Sequence, residues 1–575
     1  MNDIPDRVTT VGGGVATAFA GETRVATNFR TPDGGRALGT SLAAGPAHDA
    51  VRRGEAYRGL RRHAARRLRR AGKGRRGGGD GSAPNLSLHN RGLAHLAPGA
   101  TLGHMTSMTR RAALQAAAAA ACAGALTPEA QAQAAAQLAA AAERPLFGAE
   151  VRTLPNGLRV AFVEQRRAPV IAQYAFVSAG GGEDPAGRSG VAHFLEHMMF
   201  KGSARVASGE FSRRVAREGG NDNAFTSRDV TAYFQHVEAS RLDLVAMMEA
   251  DRFASAKMAP AEFEAERQVI LEERAQRTGS SPRALYFEGF QAAMWGPQHW
   301  HGRPIIGWED EIRAITHNDI MAFFRARYAA GNTVLVVAGA VDGDGFWKTV
   351  QEHWAALPPG PAVPRHRAPP PASPPTPRYV RNDPRLRGEA TFVRSWQAPS
   401  ATTENSQHGD ALEVLRHILG GGPGSRLHRA LVEGGLAVSA GASYDADVYS
   451  WTDFDVSATP RREVEPARVE EAAMAVVKRL LDEGGPTDAE VQRSVRQMSA
   501  GALLALDGLG AAPRMIGNAL AIGQDLDSVE FWPRRLRAVT RDQVAAAAVH
   551  VLGRAPSASG WLLPEGAAAP VEVRA

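Results

Sequence analysis

The chain has one cysteine in 575 residues, Cys122, which excludes a disulfide framework and any cluster held by several thiolates of one chain. A bound metal must therefore be held by histidine and carboxylate. Aromatic residues are scarce, at 6%. Apart from a short Ala-rich run, no stretch approaches the roughly 20 unbroken apolar residues that cross a bilayer, so a multi-span membrane protein is excluded and no transmembrane span is expected. With 44% hydrophobic and 22% charged residues, the composition is that of a soluble globular chain of two or more domains.

Acidic residues are lacking at one end only. Residues 1–104 carry 17 Lys+Arg against 7 Asp+Glu, which leaves 50 of the 67 basic and 53 of the 60 acidic residues for 105–575. The net charge of +7 thus comes from the first hundred residues, and the body has no footprint for polyanions. Nucleic acid is not an expected partner.

That basic segment is rich in Gly and in paired arginines such as Arg61-Arg62 and Arg75-Arg76. It has no sustained apolar period and reads as disordered and outside the fold. Met105 to Ala134 follows the grammar of an export signal: Arg110-Arg111, an Ala/Leu core from Ala112 to Leu126, then small residues. Thr109-Arg110-Arg111-Ala-Ala-Leu114 resembles a twin-arginine signal with Ala113 in the usual bulky place. The expectation is a signal peptide over 105–134, translation from Met105 or Met108 with residues 1–104 untranslated, and export to the periplasm. Cys122 is a lesser candidate for a lipid anchor.

From Phe147 the pattern is globular. Val160–Val163 and Val170–Val177 read as strands, with Asn156-Gly157 as a turn before the first. Helical periodicity covers 190–201, 208–218, 238–255 and 259–277, then Asp319–Tyr328, before the buried strand Thr333–Ala338. The segment 358–377 is so proline-rich that it reads as an extended linker. Beyond it the plan restarts, and Leu536-Arg-Ala-Val-Thr540 echoes Ile312-Arg-Ala-Ile-Thr316. The expected fold is α+β: two homologous domains, 147–357 and 378–567, each an antiparallel-rich sheet with packed helices.

The chemistry sits in Gly190-Val-Ala-His193-Phe-Leu-Glu196-His197. On a helix, His193 and His197 lie one turn apart on one face, so both imidazoles reach one ion. Glu196 lies beside it as a general base for the attacking water. A zinc with two His wants a third protein ligand, commonly a carboxylate. Glu266 and Glu273 are seven apart on the helix 259–277, two turns on one face. Spacing proposes Glu273 as ligand with Glu266 supporting it, or the reverse.

These residues resemble the inverted-motif (H-x-x-E-H) zinc peptidases of the insulinase and pitrilysin type, especially the mitochondrial processing peptidase-like branch. The likeness spans 147–567 and includes Leu154-Pro-Asn-Gly157, Gly190–Ser203, Gly219–Ser227, Glu266–Glu273, His299–Pro304 and Gly420–Leu427. It implies one Zn2+ per chain held by His193, His197 and Glu273, Glu196 as base and Glu266 as an outer carboxylate. It also implies that Asn223, Ala224 and Phe225 form an edge strand pairing with a peptide substrate, in a metalloendopeptidase forming half of a clamshell.

Two departures stand out. Active single-chain members of the family carry an Arg and a Tyr, seven apart, that reach the substrate from the second domain; here Leu431 and Val438 occupy those places, with Arg429 and Tyr444 nearby at the wrong spacing. The expectation is therefore a dimer, either a homodimer or a heterodimer in which a paralogous subunit supplies the Arg/Tyr pair. The alternative is a catalytically silent peptide-binding or scaffold subunit. Trp300 and His301 stand where Pro-Tyr is usual.

Overall fold

The computed structural model describes the strand pair 17–20 and 23–27, and residues 143–570 other than 361, 387–389, 506–507 and 569. The paired arginines, the export signal and Cys122 lie outside the described residues. Within the basic segment, β1 (Thr17–Ala20) and β2 (Thr23–Thr27) pair antiparallel. Their Thr, Phe and Val residues favour an extended ribbon, but runs of four and five are too short to stand out as a sustained alternation.

Two sheets share one plan. The first holds β3 (Glu150–Thr153), β4 (Arg159–Glu164), β5 (Val170–Val177), β6 (Asn221–Thr226), β7 (Thr231–Glu238) and β8 (Thr333–Gly339), in the order β3-β4-β8-β5-β7-β6. The second holds β9 (Arg378–Asp383), β10 (Thr391–Ala398), β11 (Ala437–Ser443), β12 (Thr452–Pro460) and β13 (Ser557–Pro564), in the order β11-β12-β10-β13-β9. Setting β9 against β4, the two paths coincide. In each, the first and last strands are parallel and the other neighbours antiparallel. The extra β3 is joined to β4 through Asn156-Gly157, where Gly157 has φ +94° and a Cβ would lie 3.2 Å from the backbone of Gly331.

The echoed phrases have the same local role. Thr316 and Thr540 each cap a helix through a capping box, with Asp319 and Gln543 returning the bond. Each of these helices, His317–Arg327 and Arg541–Val551, leads into the last strand of its sheet.

The sheets are buried on both faces, which is why β4, β5 and β8 are nearly continuous apolar runs. Val160 and Phe162 join the core that holds Phe194 and Phe253, from the helices Val191–Met198 and Leu242–Ser255. Ala161, Tyr174 and Phe176 on the opposite face pack with Ala512, Ile516 and Leu520 of the helix Ala511–Ala521. The exchange is mutual: Tyr286, Phe290 and Met294 of the helix Pro282–Trp295 pack with Val393, Ala558 and Leu562 of the second sheet. Both exchanged helices are the third α-helix after their sheet's fourth strand.

Among its described residues the proline-rich segment has neither helix nor strand, yet it is tied down. Arg367 pairs with Glu183 at 2.7 Å and Asp229 at 3.1 Å and lies over the Trp300 ring, and Arg365 donates to the carbonyl of Ala521. It is a strap across the fold.

Candidate metal centre and peptide-binding edge

The helix Val191–Met198 starts at a fixed point. Gly190 caps it with φ +94°, and Asp184 accepts hydrogen bonds from the backbone N–H groups of Gly190, at 2.7 Å, and Ala192, at 2.8 Å. Phe194, Leu195 and Met198 are buried in the core, which sets the rotation of the helix and turns His193 and His197 toward the helix Pro260–Arg274 and Glu196 toward Thr226 of β6.

His193, His197 and Glu273 each offer one ligand atom, all within 4.8 Å of one another. Nε2 of His197 is 3.3 Å and Nε2 of His193 is 3.7 Å from the same Glu273 oxygen, Oε2. With bonds of about 2.0–2.1 Å in a tetrahedral arrangement, ligand atoms stand roughly 3.4 Å apart, so this triangle fits a zinc ion. Glu266 is set apart from it. Its Oε1 accepts from Nδ1 of His197 at 2.8 Å, and its Oε2 pairs with Lys201. An N–H at Nδ1 leaves the Nε2 lone pair free to ligate. The other oxygen of Glu273 pairs with the exposed Arg277 at 2.7 Å. Among the described residues one further such group occurs, Asp243, Glu352 and His353, whose two carboxylates are exposed.

The electrostatics of the metal-free triangle follow from burial and carboxylates. Burial, with His197 and Arg277 as neighbours, lowers the His193 pKa to about 4, so its imidazole is neutral at pH 7. Burial also opposes charge on His197, but Glu266, Glu273 and Glu196 outweigh it and raise its pKa to about 9. Glu273 and Glu266 stay below the ordinary carboxylate value: burial pushes both up, and the neighbouring His197, with Lys201 at Glu266 and Arg277 at Glu273, pulls them down further.

Glu196 is pushed upward by burial. Its Oε2 accepts a 2.6 Å hydrogen bond from Thr226 Oγ1. Thr226 ends β6, the strand that carries Asn223, Ala224 and Phe225 and forms one edge of the first sheet. Asn223 is exposed, while Ala224 and Phe225 pack against the cores on either side of the sheet.

Sequence reasoning missed Thr226 and Lys201 as partners of the site. Both lie in the quoted blocks, but bonding across about 30 and 65 residues leaves no spacing signal. The Arg429 and Tyr444 side chains are engaged elsewhere: Arg429 lies 3.8 Å from Glu490, and Tyr444 donates to the carbonyl of Pro399 at 2.7 Å. Leu431 is buried in the second core and Val438 is exposed on β11. The loop with Trp300 and His301 clasps the strap: Trp300 Nε1 donates to the carbonyl of Ala368, and His301 stacks on Trp295 at 4.1 Å.

Known families match this arrangement. The insulinase profile (peptidase family M16) matches residues 159–305, and that of the peptidase M16 inactive domain matches 314–498. A single cache domain 3 profile matches residues 1–66, most of which lie outside the described residues. An uncharacterized zinc protease of Mycobacterium tuberculosis is 32% identical over 411 residues, covering 70% of this chain and 90% of the relative. The mitochondrial-processing peptidase subunit beta of Lentinula edodes is 28% identical over 388 residues, covering 64% of this chain and 80% of the relative. The crystal structure of a protease from Helicobacter pylori superposes with a TM-score of 0.66 at 24% identity, covering 73% of this chain and all of that one. With a relative 32% identical along nine-tenths of its length, the chain belongs to the insulinase family of peptidases, peptidase family M16.

Proposed function

We propose that the chain is a zinc-dependent endopeptidase that hydrolyses peptides or unfolded polypeptides, with one zinc held by His193, His197 and Glu273. The observation that carries the reading is the convergence of two imidazole Nε2 atoms and one carboxylate oxygen, spaced as zinc ligands are, with a partly buried carboxylate next to His197 in the chain. Bound there, zinc supplies Lewis acidity for the scissile carbonyl and lowers the pKa of water. Glu196 takes the proton of the attacking water and passes it to the leaving amine, as a positioned base then acid. Glu266, steadied by Lys201, orients His197. The peptide pairs in extended form along β6 at Asn223, Ala224 and Phe225, held by backbone bonds that tolerate many side chains.

The two domains, 147–357 and 378–567 with the strap 358–377 between them, form one half of a clamshell, and a partner closes it. Arg429 and Tyr444 are bonded elsewhere, and every copy of this chain has Leu431 and Val438 in the places of the pair, so a paralogous subunit supplies the Arg/Tyr pair. Loss of a donor to the developing oxyanion costs about 10²–10³ in rate, so the chain alone is slow. The basic head and apolar core after Met105 direct export to the periplasm.

The test is to purify the full chain, measure bound zinc, and follow cleavage of a quenched fluorescent peptide beside Glu196→Gln. One zinc per chain, with slow cleavage abolished in E196Q, is expected. Rapid turnover by the chain alone would remove the need for a partner's Arg/Tyr pair, and a chain that binds no zinc is a silent peptide-binding subunit.

A further inference from the structure

The Thr226 hydroxyl has one hydrogen and two acceptors to choose between. Glu196 Oε2 stands at 2.6 Å and Thr231 Oγ1 at 3.5 Å. Thr231 gives its own hydrogen to the carbonyl of Ala179 at 3.0 Å, so the Thr226 hydrogen goes to the carboxylate, as a short charge-assisted bond. That bond engages one oxygen of Glu196 and leaves Oε1 to receive a proton.

The backbone behind the hydroxyl is rigid. Thr226 pairs in register with Thr231, the first residue of β7, whose residues from Thr231 to Gln235 are all buried. The hydroxyl therefore sits at the end of the edge strand, three residues beyond Asn223, and faces the base.

We infer that Thr226 is a positioning residue that fixes the Glu196 carboxylate, so that β6 both presents an edge to an extended peptide and sets the direction of the base. The inference rests on the reading of Glu196 as the base.

The experiment compares Thr226→Val, which keeps the shape and loses the donor, with Thr226→Ser, which keeps the donor, beside wild type and E196Q. Each is measured in the full chain for bound zinc, for kcat and KM, and by crystallography of the zinc-loaded protein. T226V is expected to hold zinc at the wild-type level and to keep its KM while kcat falls about 10–100-fold, the usual cost of losing an outer partner. T226S is expected to retain most of the rate. In crystals, the Glu196 carboxylate of T226V should leave its place and that of T226S should keep it. A T226V protein with wild-type kcat overturns the inference, as does equal loss in T226S and T226V. An unmoved carboxylate in T226V overturns it even if the chain by itself turns over too slowly to measure. If E196Q stays fully active, the reading of Glu196 itself fails. If E196Q is dead while T226V is unimpaired, only the role of Thr226 fails.

Discussion

The helix Val191–Met198 of the first half and the helix Gly409–Gly420 of the second occupy matching places, the one between β5 and β6 and the other between β10 and β11 in the chain. They share a burial register: Phe194, Leu195, Met198 and Met199 are matched by Val414, Leu415, Ile418 and Leu419, all buried. In that register Glu413 stands opposite His193, Arg416 opposite Glu196, and His417 opposite His197. The facing helices diverge further. Pro260–Arg274 carries Glu266 and Glu273, whereas Asp488–Ala505 has no carboxylate after Glu490. Duplication kept the apolar positions that hold a helix on a sheet and left the polar positions of the same helix free to change. Among the described residues, the helix pair of the first half brings two imidazoles and a carboxylate together, and the matching pair of the second does not.

Removing a ligand tests that contrast most severely. His197→Ala is expected to take bound zinc from about one per chain to near none, because two remaining donors do not make a zinc site. His417→Ala, at the matching position, should leave zinc content and peptide cleavage untouched. Metal analysis of the two purified variants checks this. Equal zinc in both would mean that the ion is held elsewhere, and zinc loss in H417A would mean that the second half contributes a ligand.

A smaller effect separates the ligands from their support. Lys201→Met takes away the cation that pairs with Glu266 and so loosens the hold of Glu266 on Nδ1 of His197. Zinc should still bind, with affinity lowered about 10–100-fold, as read by competition with a chelator. An unchanged affinity would show that Glu266 orients His197 without help.

How much of this was legible in the sequence depends on whether the relevant contact is local. His193, Glu196 and His197 share a single helical turn, so spacing alone put them together. Glu266 and Glu273 lie two turns apart on one face, and periodicity cannot say which meets the imidazoles. The structure sets Glu273 Oε2 near both Nε2 atoms and Glu266 behind His197. The bond from Thr226 to Glu196 crosses between a strand and a helix and left no pattern. Nor did the exchange of helices between the sheets, because an apolar stripe says that a face is covered but not by which partner. The proline run reads as an extended linker from composition, while its fastening depends on Arg365 and Arg367 meeting residues far away in the chain.

The mildest test concerns what replaced the first histidine. Glu413 is partly buried and accepts a hydrogen bond from Trp532 Nε1 at 3.1 Å. Burial raises its pKa from the ordinary 4.5 to about 7, with Asp447 and Asp410 adding to the rise and Trp532 and Arg416 opposing it. Between those two values the folded chain holds a proton that the unfolded chain has released, so this group's contribution to stability falls as pH rises from about 4.5 to about 7. Glu413→Gln keeps an acceptor for Trp532 and cannot ionise. Chemical denaturation should therefore find E413Q close to wild type at pH 4 and more stable by about 1–3 kcal/mol at pH 8. A difference that is the same at both pH values would mean that Glu413 ionises in the folded chain as readily as in water. The position opposite His193 would then hold a solvated carboxylate, and the two halves would differ in hydration there as well as in ligand chemistry.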